Sequence, residues 1–255
     1  MPIQFPEVEE VRLDRPPLDE VVCQVRFPSI LRIAQEEPAA FQDLIRKRFP
    51  GFEKQHSFQL KLSMPGNPAD ASAEVRPITY LFTDGQGQNQ AVLSPSFYAL
   101  SIKRYGGWQV FLKDLELVHS AVMEVYEPAY ATRVGLRYIN RMTPENTGAT
   151  TRKELIELVR AELTSTLQGQ IWENVEGTLG IASFVAPPAQ LNLRYGLDTD
   201  DSTWSFLLDL DYFEEGQIDL ADALARCEQY HETIYRAFRW MVNDETLGRF
   251  GGGVI

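Results

Sequence analysis

Val25-Arg26-Phe27 returns as Leu136-Arg137-Tyr138, an offset of 137 − 26 = 111 residues. A second stretch, Leu112, Leu115, Glu116, His119, Val122 and Tyr126, has helical spacing. It returns as Leu224, Cys227, Glu228, His231, Ile234 and Phe238, an offset of 231 − 119 = 112. Two separate segments agree on one period, which points to internal duplication. The period exceeds the roughly 20–50 residues of solenoid repeats, so each copy is expected to form half of a larger unit.

Around these segments the pattern fills in. Residues 1–17 read as an extended, proline-rich arm. In the first half, residues 18–128, Val21 to Phe27 is a strand and Pro38 to Phe49 a helix. Phe58 to Met64, Ile78 to Thr83, Gln90 to Ser94 and Tyr98 to Ile102 read as strands, with Asp84-Gly85-Gln86-Gly87 as a hairpin turn. Gly106-Gly107 precedes a long helix to Tyr126. In the second half, residues 129–243, Arg133 to Met142 is a strand and Thr151 to Leu167 a helix capped by Thr150 or Thr151, with Glu154 behind the cap. Thr178 to Val185, Gln190 to Leu197 and Trp204 to Phe213 are strands, and Asp219 to Val242 is a long helix. Residues 244–255 read as a flexible Gly-rich tail. The expected class is α+β: an antiparallel sheet with helices on one face.

The 255 residues are 44% hydrophobic, and the formal net charge is −12. That charge argues against nucleic acid and anionic membrane surfaces as partners. The start of the chain lacks the apolar core of a signal peptide, no run is long enough to span a bilayer, and the cysteines number two. The expectation is a cytoplasmic protein with reduced thiols.

Strand alternation divides the sheet into two faces. One carries Val25, Phe27, Leu60, Leu62, Leu100, Ile102, Leu136, Tyr138, Leu193, Tyr195, Phe206, Leu208 and Leu210, and should meet the helices. The other carries Gln24, Arg26, Gln59, Lys61, Ser63, Ser101, Lys103, Arg137, Arg141, Asn192, Arg194, Asp209 and Asp211. Arginine is suited to bidentate contact with carboxylate or phosphate, which makes this a candidate recognition surface. The plainer reading is a solvated face whose arginines pair with Asp209 and Asp211.

His119 and His231 occupy equivalent helix positions and could approach each other as a pH-sensitive pair or metal ligands, but no His-x-x-x-His or Cys-x-x-Cys supports a metal, and the plainer reading is that each is a partly buried helix residue with one hydrogen bond. Cys23 and Cys227 both read as small core residues. Asp198, Asp200 and Asp201 read as an acidic turn. Arg46-Lys47-Arg48 complements a helix C-terminus. No metal or cofactor motif emerges.

Two resemblances follow from these residues. The element order resembles the helix-grip halves of the TATA-binding-protein saddle, which implies architecture alone. Pro17 to Val22, Val25 to Pro28 and above all Gly-Leu-Arg-Tyr-Ile-Asn-Arg, residues 135–141, resemble a sporadically distributed, uncharacterised family of bacterial proteins of this length. That resemblance implies a scattered distribution and no known activity.

The expected function is therefore non-enzymatic recognition or scaffolding. A protein partner or anionic ligand would bind the open face through Arg26, Arg137, Arg141 and Arg194. The alternative is a small-molecule carrier or enzyme with a pocket between sheet and long helix, using Arg137, Asp209, Asp211 and His231. A homodimer is a further expectation, because sheet edges must be covered.

Overall fold

The computed structural model describes residues 5–9, 11, 13–55, 78–167, 169, 175–200 and 203–251. Nine antiparallel strands form one sheet, with helices on one face. The strands are β1 Leu18–Arg26, β2 Gly51–Gln55, β3 Thr79–Thr83, β4 Asn89–Ser94, β5 Phe97–Ile102, β6 Ala131–Met142, β7 Gly180–Ala186, β8 Ala189–Asp200 and β9 Thr203–Ile218. Their order is β2-β3-β4-β5-β1-β6-β9-β8-β7.

Read outward from the β1–β6 junction, the two sides follow the same plan. The first strand of each half lies innermost, and the last strand of that half lies beside it. The register is equally symmetric. Gln24 pairs with Gly135, its own counterpart at the period of 111, and Cys23–Leu136 mirrors Val25–Val134. A pseudo-twofold axis therefore passes between Gln24 and Gly135.

Two 19-residue helices, α3 Trp108–Tyr126 and α7 Ala223–Met241, cover the apolar face. Phe111, Leu115, Val118 and Val122 of α3, with Cys227, Ile234, Ala237 and Met241 of α7, are buried at helical spacing. They pack on Val25, Leu100, Leu136, Leu193, Leu208 and Leu210 in one continuous core. Gly107 starts α3 at a φ of 104°, a conformation that favours glycine. The short helices α1 Leu31–Gln35 and α2 Ala39–Ile45 complete the first half. Helices α4 Pro144–Thr147, α5 Arg152–Glu157 and α6 Ala161–Thr164 belong to the second.

Three expectations need correction. The helix expected from Thr151 to Leu167 starts on its Thr151 cap, which accepts from the Glu154 N–H, but breaks after Glu157. There Val159 bridges to Val242, and the Arg160 N–H donates to the Met241 carbonyl at 2.8 Å. Pairing with the chain leaving α7 thus outcompetes helix continuation. Asp198 and Asp200 lie on β8 rather than in a turn, and Asp201 falls outside the described residues. The expected flexible tail begins instead with helix α8, Asp244–Arg249, capped by the Asn243 side chain. Phe250 then enters the core with no exposed surface. Strand Phe58 to Met64, including Gln59, Leu60, Lys61, Leu62 and Ser63, lies outside the described residues, as does His56. The N-terminal arm runs along α7, where the Val11 N–H donates to Tyr235 Oη at 2.7 Å.

Replacing Phe250→Ala removes a fully buried ring and is expected to destabilise the protein by about 3–5 kcal/mol. A free tail would give no effect. Urea unfolding of the two proteins distinguishes these outcomes.

Candidate functional site

The polar face is a network of ion pairs centred on β6, β9 and β8. Arg137 faces Asp211 in register but reaches diagonally to Asp209, with Nε and Nη2 at 2.6 Å from the two carboxylate oxygens. Arg194 binds the same carboxylate from β8, at 2.8 Å through Nε and 2.6 Å through Nη2. Arg133 reaches Asp211 at 2.9 and 3.0 Å. Arg141 contacts Asp198 and Ser205 Oγ, both at 2.9 Å. The plainer sequence reading, arginines paired with Asp209 and Asp211, is thus the arrangement found for Arg137 and Arg194. These two are occupied groups in the fold rather than free cations.

Arg133 was missed by the sequence reading. Its guanidinium lies across the empty side-chain position of Gly135; a Cβ there would sit 2.8 Å from Arg133 Cζ. It also lies 4.4 Å from the Phe213 ring centroid. The available signal was an arginine two residues before a strand glycine, a spacing that places both on one face.

Burial raises the Asp209 and Asp211 carboxyls above their usual range, and the neighbouring arginines pull them back. The contact to Asp209 is a two-nitrogen fork, whereas Arg133 reaches Asp211 through a single nitrogen, Nη2.

Arg26 differs from its neighbours. It is exposed, and it stands directly opposite Arg133 across the β1–β6 ladder. Both guanidiniums turn to one neutral acceptor, Gln24 Oε1, from Arg26 Nε at 2.9 Å and from Arg133 Nη1 at 3.4 Å. Desolvation and then the facing Arg133 lower the Arg26 pKa, while Glu215 and Asp211 oppose them. Like charges directly opposed across a ladder are destabilising. At this level of the sheet Glu215 of β9 stands opposite Arg133, so Glu215 and Asp211 are the carboxylates that act on the Arg26–Arg133 pair.

The histidines do not meet each other; each is a buried helix residue with one hydrogen-bond partner among the described residues, the plainer of the two sequence readings. Each is held by a tyrosine of the sheet: His119 Nδ1 lies 2.6 Å from Tyr98 Oη, and His231 Nδ1 lies 2.7 Å from Tyr138 Oη. Trp108 stacks on the His231 ring at 4.3 Å, and Tyr105 Oη lies 3.2 Å from Tyr138 Oη. Burial lowers His119 and takes His231 down to about 4. A depression of about 340 Å3 opens at His231, lined also by Val8, Trp108, Gln109, Glu228, Glu232, Tyr235 and Arg236. It lies at the outer side of α7, under the arm, and not between sheet and helix as expected. The two cysteines converge inside the core, with Cys23 Sγ 3.3 Å from Cys227 Sγ.

The basic run after α2 is absorbed structurally. Arg48 binds Asp114 of α3 at 2.7–3.1 Å, and Arg46 lies 3.5 Å from Asp43. Among the described residues no group of three or more His, Cys, Asp or Glu gathers to hold a metal, and no helix is long and apolar enough to cross a membrane. No protein-family model and no curated protein matches this chain.

Two predictions follow from this geometry. Arg137→Ala strands Asp209 with one partner in a buried setting and is expected to cost about 3–5 kcal/mol in thermal or urea unfolding. For His231 the folded value of about 4 lies below the ordinary 6.5. Its neutral form therefore favours the fold fully above pH 6.5, and that contribution is lost as pH falls toward 4, on the order of 3 kcal/mol in all. Asp209 and Asp211, raised in the fold, act in the opposite sense. The difference in melting behaviour between wild type and His231→Gln should thus shrink as pH falls from 6.5 to 4, and a constant difference would refute the assignment.

Proposed function

We propose that this protein is a non-enzymatic recognition or scaffold protein, and that it binds an anionic group through the Arg26 corner of its open sheet face. The carrying observation is the direct opposition of exposed Arg26 and buried Arg133 over a single shared acceptor. A carboxylate or phosphate placed there relieves the repulsion and gains charge-assisted hydrogen bonds from a guanidinium already oriented by Gln24. Local violations of pairing rules of this kind concentrate at functional sites.

Arg137, Arg194 and Asp209 serve in this reading as the rigid base, not the contact. Arg141 and Asp211 likewise tune the field rather than touch the partner. The ligand is the acidic segment of a partner protein or an anionic small molecule. The mirrored strand order supports descent of the two halves from a duplicated unit and a saddle-like relationship between them. Kinship with the scattered bacterial family rests on Gly135 to Arg141. In that segment Gly135 makes room for Arg133, Arg137 holds Asp209, Tyr138 holds His231, and Asn140 donates to the Leu208 carbonyl at 3.2 Å.

One observation favours a second reading, a small-molecule carrier. The His231 depression presents Trp108, Glu232 and Arg236 around a buried imidazole. Its volume sits at the lower end for ligand pockets.

Affinity capture of the tagged protein from its native lysate, with mass spectrometry of proteins and small molecules, tests both. The expected result is a stoichiometric partner or anion that Arg26→Glu abolishes, while the fold, followed by circular dichroism, is retained. Retention with unchanged affinity in Arg26→Glu removes the corner as the site. A metabolite lost in Glu232→Ala but kept in Arg26→Glu transfers the function to the depression.

A further inference from the structure

Among the described residues the sheet ends on two edges of different character. The β2 edge, Gly51–Gln55, carries exposed Glu53 and Lys54, and Lys54 is tied to Glu37 at 2.6 Å. Charges of this kind keep an edge from pairing with other chains. The β7 edge has no such protection. Its sequence, Gly180-Ile181-Ala182-Ser183-Phe184-Val185-Ala186, contains no charge and no proline. Ile181, Phe184 and Val185 are 43%, 40% and 66% exposed. Among the described residues, no backbone hydrogen bond reaches β7 from any element but β8.

We propose that β7 is a homodimerisation edge: two copies of this chain pair antiparallel through β7 about a twofold axis at Ser183, forming one continuous sheet. The strand is self-complementary in that register. Ser183 opposes itself, Ile181 opposes Val185 of the second copy, Ala182 opposes Phe184, and Gly180 opposes Ala186. The apolar pair Ile181–Val185 forms twice on the open face, since Ile181 and Val185 stand beside Arg194 and Gln190 of β8. On the helix side, each Phe184 ring lies over the small Ala182 of its partner. Cross-strand pairs of these types stabilise a ladder, and an isologous contact uses one patch twice and closes.

A second copy fits better than a foreign strand for two reasons. Every exposed side chain of β7 meets a suitable partner in its own sequence. The edge is also neutral, so two chains of net charge −12 meet where neither carries charge. Opposed residues in an antiparallel ladder point to the same face, so the dimer keeps all helices on one side. Both Arg26 corners then lie on the other side. Seven residues per chain is a small contact, so the association is expected at about micromolar strength and should tighten as salt screens the net charge.

Light scattering after size-exclusion chromatography, over a concentration series of the full chain, gives the test. Wild type is expected to be a dimer that dissociates on dilution. Val185→Glu, at an exposed position, should stay folded by circular dichroism and weaken association at least tenfold. Leu31→Glu, also exposed and remote from β7 in the fold, should leave it unchanged. A nitroxide on Ser183→Cys should show dipolar broadening from its symmetry mate, because the native cysteines are buried and escape labelling. A wild type that stays monomeric throughout, a Val185→Glu that still dimerises, or a Ser183 label with no broadening in the dimer overturns the proposal.

Discussion

The backbone ladder between β1 and β6 is the contact on which the rest of the molecule depends. It joins the two halves into one sheet, and its centre is the pairing of Gln24 with Gly135. Because Gly135 has no side chain, Arg133 can fold across it to Asp211 and still share the Gln24 carbonyl. A side chain at that one position would push the guanidinium away, leave Asp211 buried without its partner, and disturb the ladder that holds the halves together. The glycine is required for close approach, not for an unusual backbone angle.

The ion pairs built on this junction should be weighed for specificity more than for gross stability. Desolvating Arg137 and Asp209 costs several kcal/mol per ion, and the bidentate geometry offsets most of it. The result is a fixed orientation. Arg137 and Arg194 grip one carboxylate from neighbouring strands, which holds the relative positions of β6, β9 and β8. On the opposite face, the two long helices are pinned by polar contacts inside an apolar layer: Tyr98 to His119, and Tyr138 to His231. Tyr98 is raised well above its ordinary value by burial, so it keeps its proton beside His119 Nδ1. Burial also drives Cys227 well above the usual thiol range, though the hydrogen bond to Cys23 is its larger cause. Packing therefore holds these two thiols together without making them reactive.

Much of the fold was legible from spacing alone. The 3.6-residue stripes of α3 and α7, the period-2 strands and the Gly106-Gly107 break all translate directly into elements, because burial of an apolar face imposes its periodicity on the chain. The division of the sheet into an apolar and a polar face was equally readable. The misplaced elements share one cause. The Thr151 to Leu167 helix breaks because residues 159–160 pair with the end of α7, some eighty residues away, and the tail folds because Phe250 finds a vacancy in a distant core. Local pattern carries no information about partners that far along the chain.

The site divides in the same way. Sequence by itself determined which residues are arginine and aspartate, and that alternation places them on one face. Only tertiary structure decided which arginine is spent on which carboxylate. It set Arg137 and Arg194 on Asp209, put Arg133 over Gly135, and left Arg26 exposed opposite a like charge. It also brought Cys23 to Cys227 and sent each histidine to a tyrosine instead of to its counterpart. The physical reason is that alternation fixes the direction of a side chain, whereas pairing depends on register and strand order, which are set by contacts between strands distant in sequence.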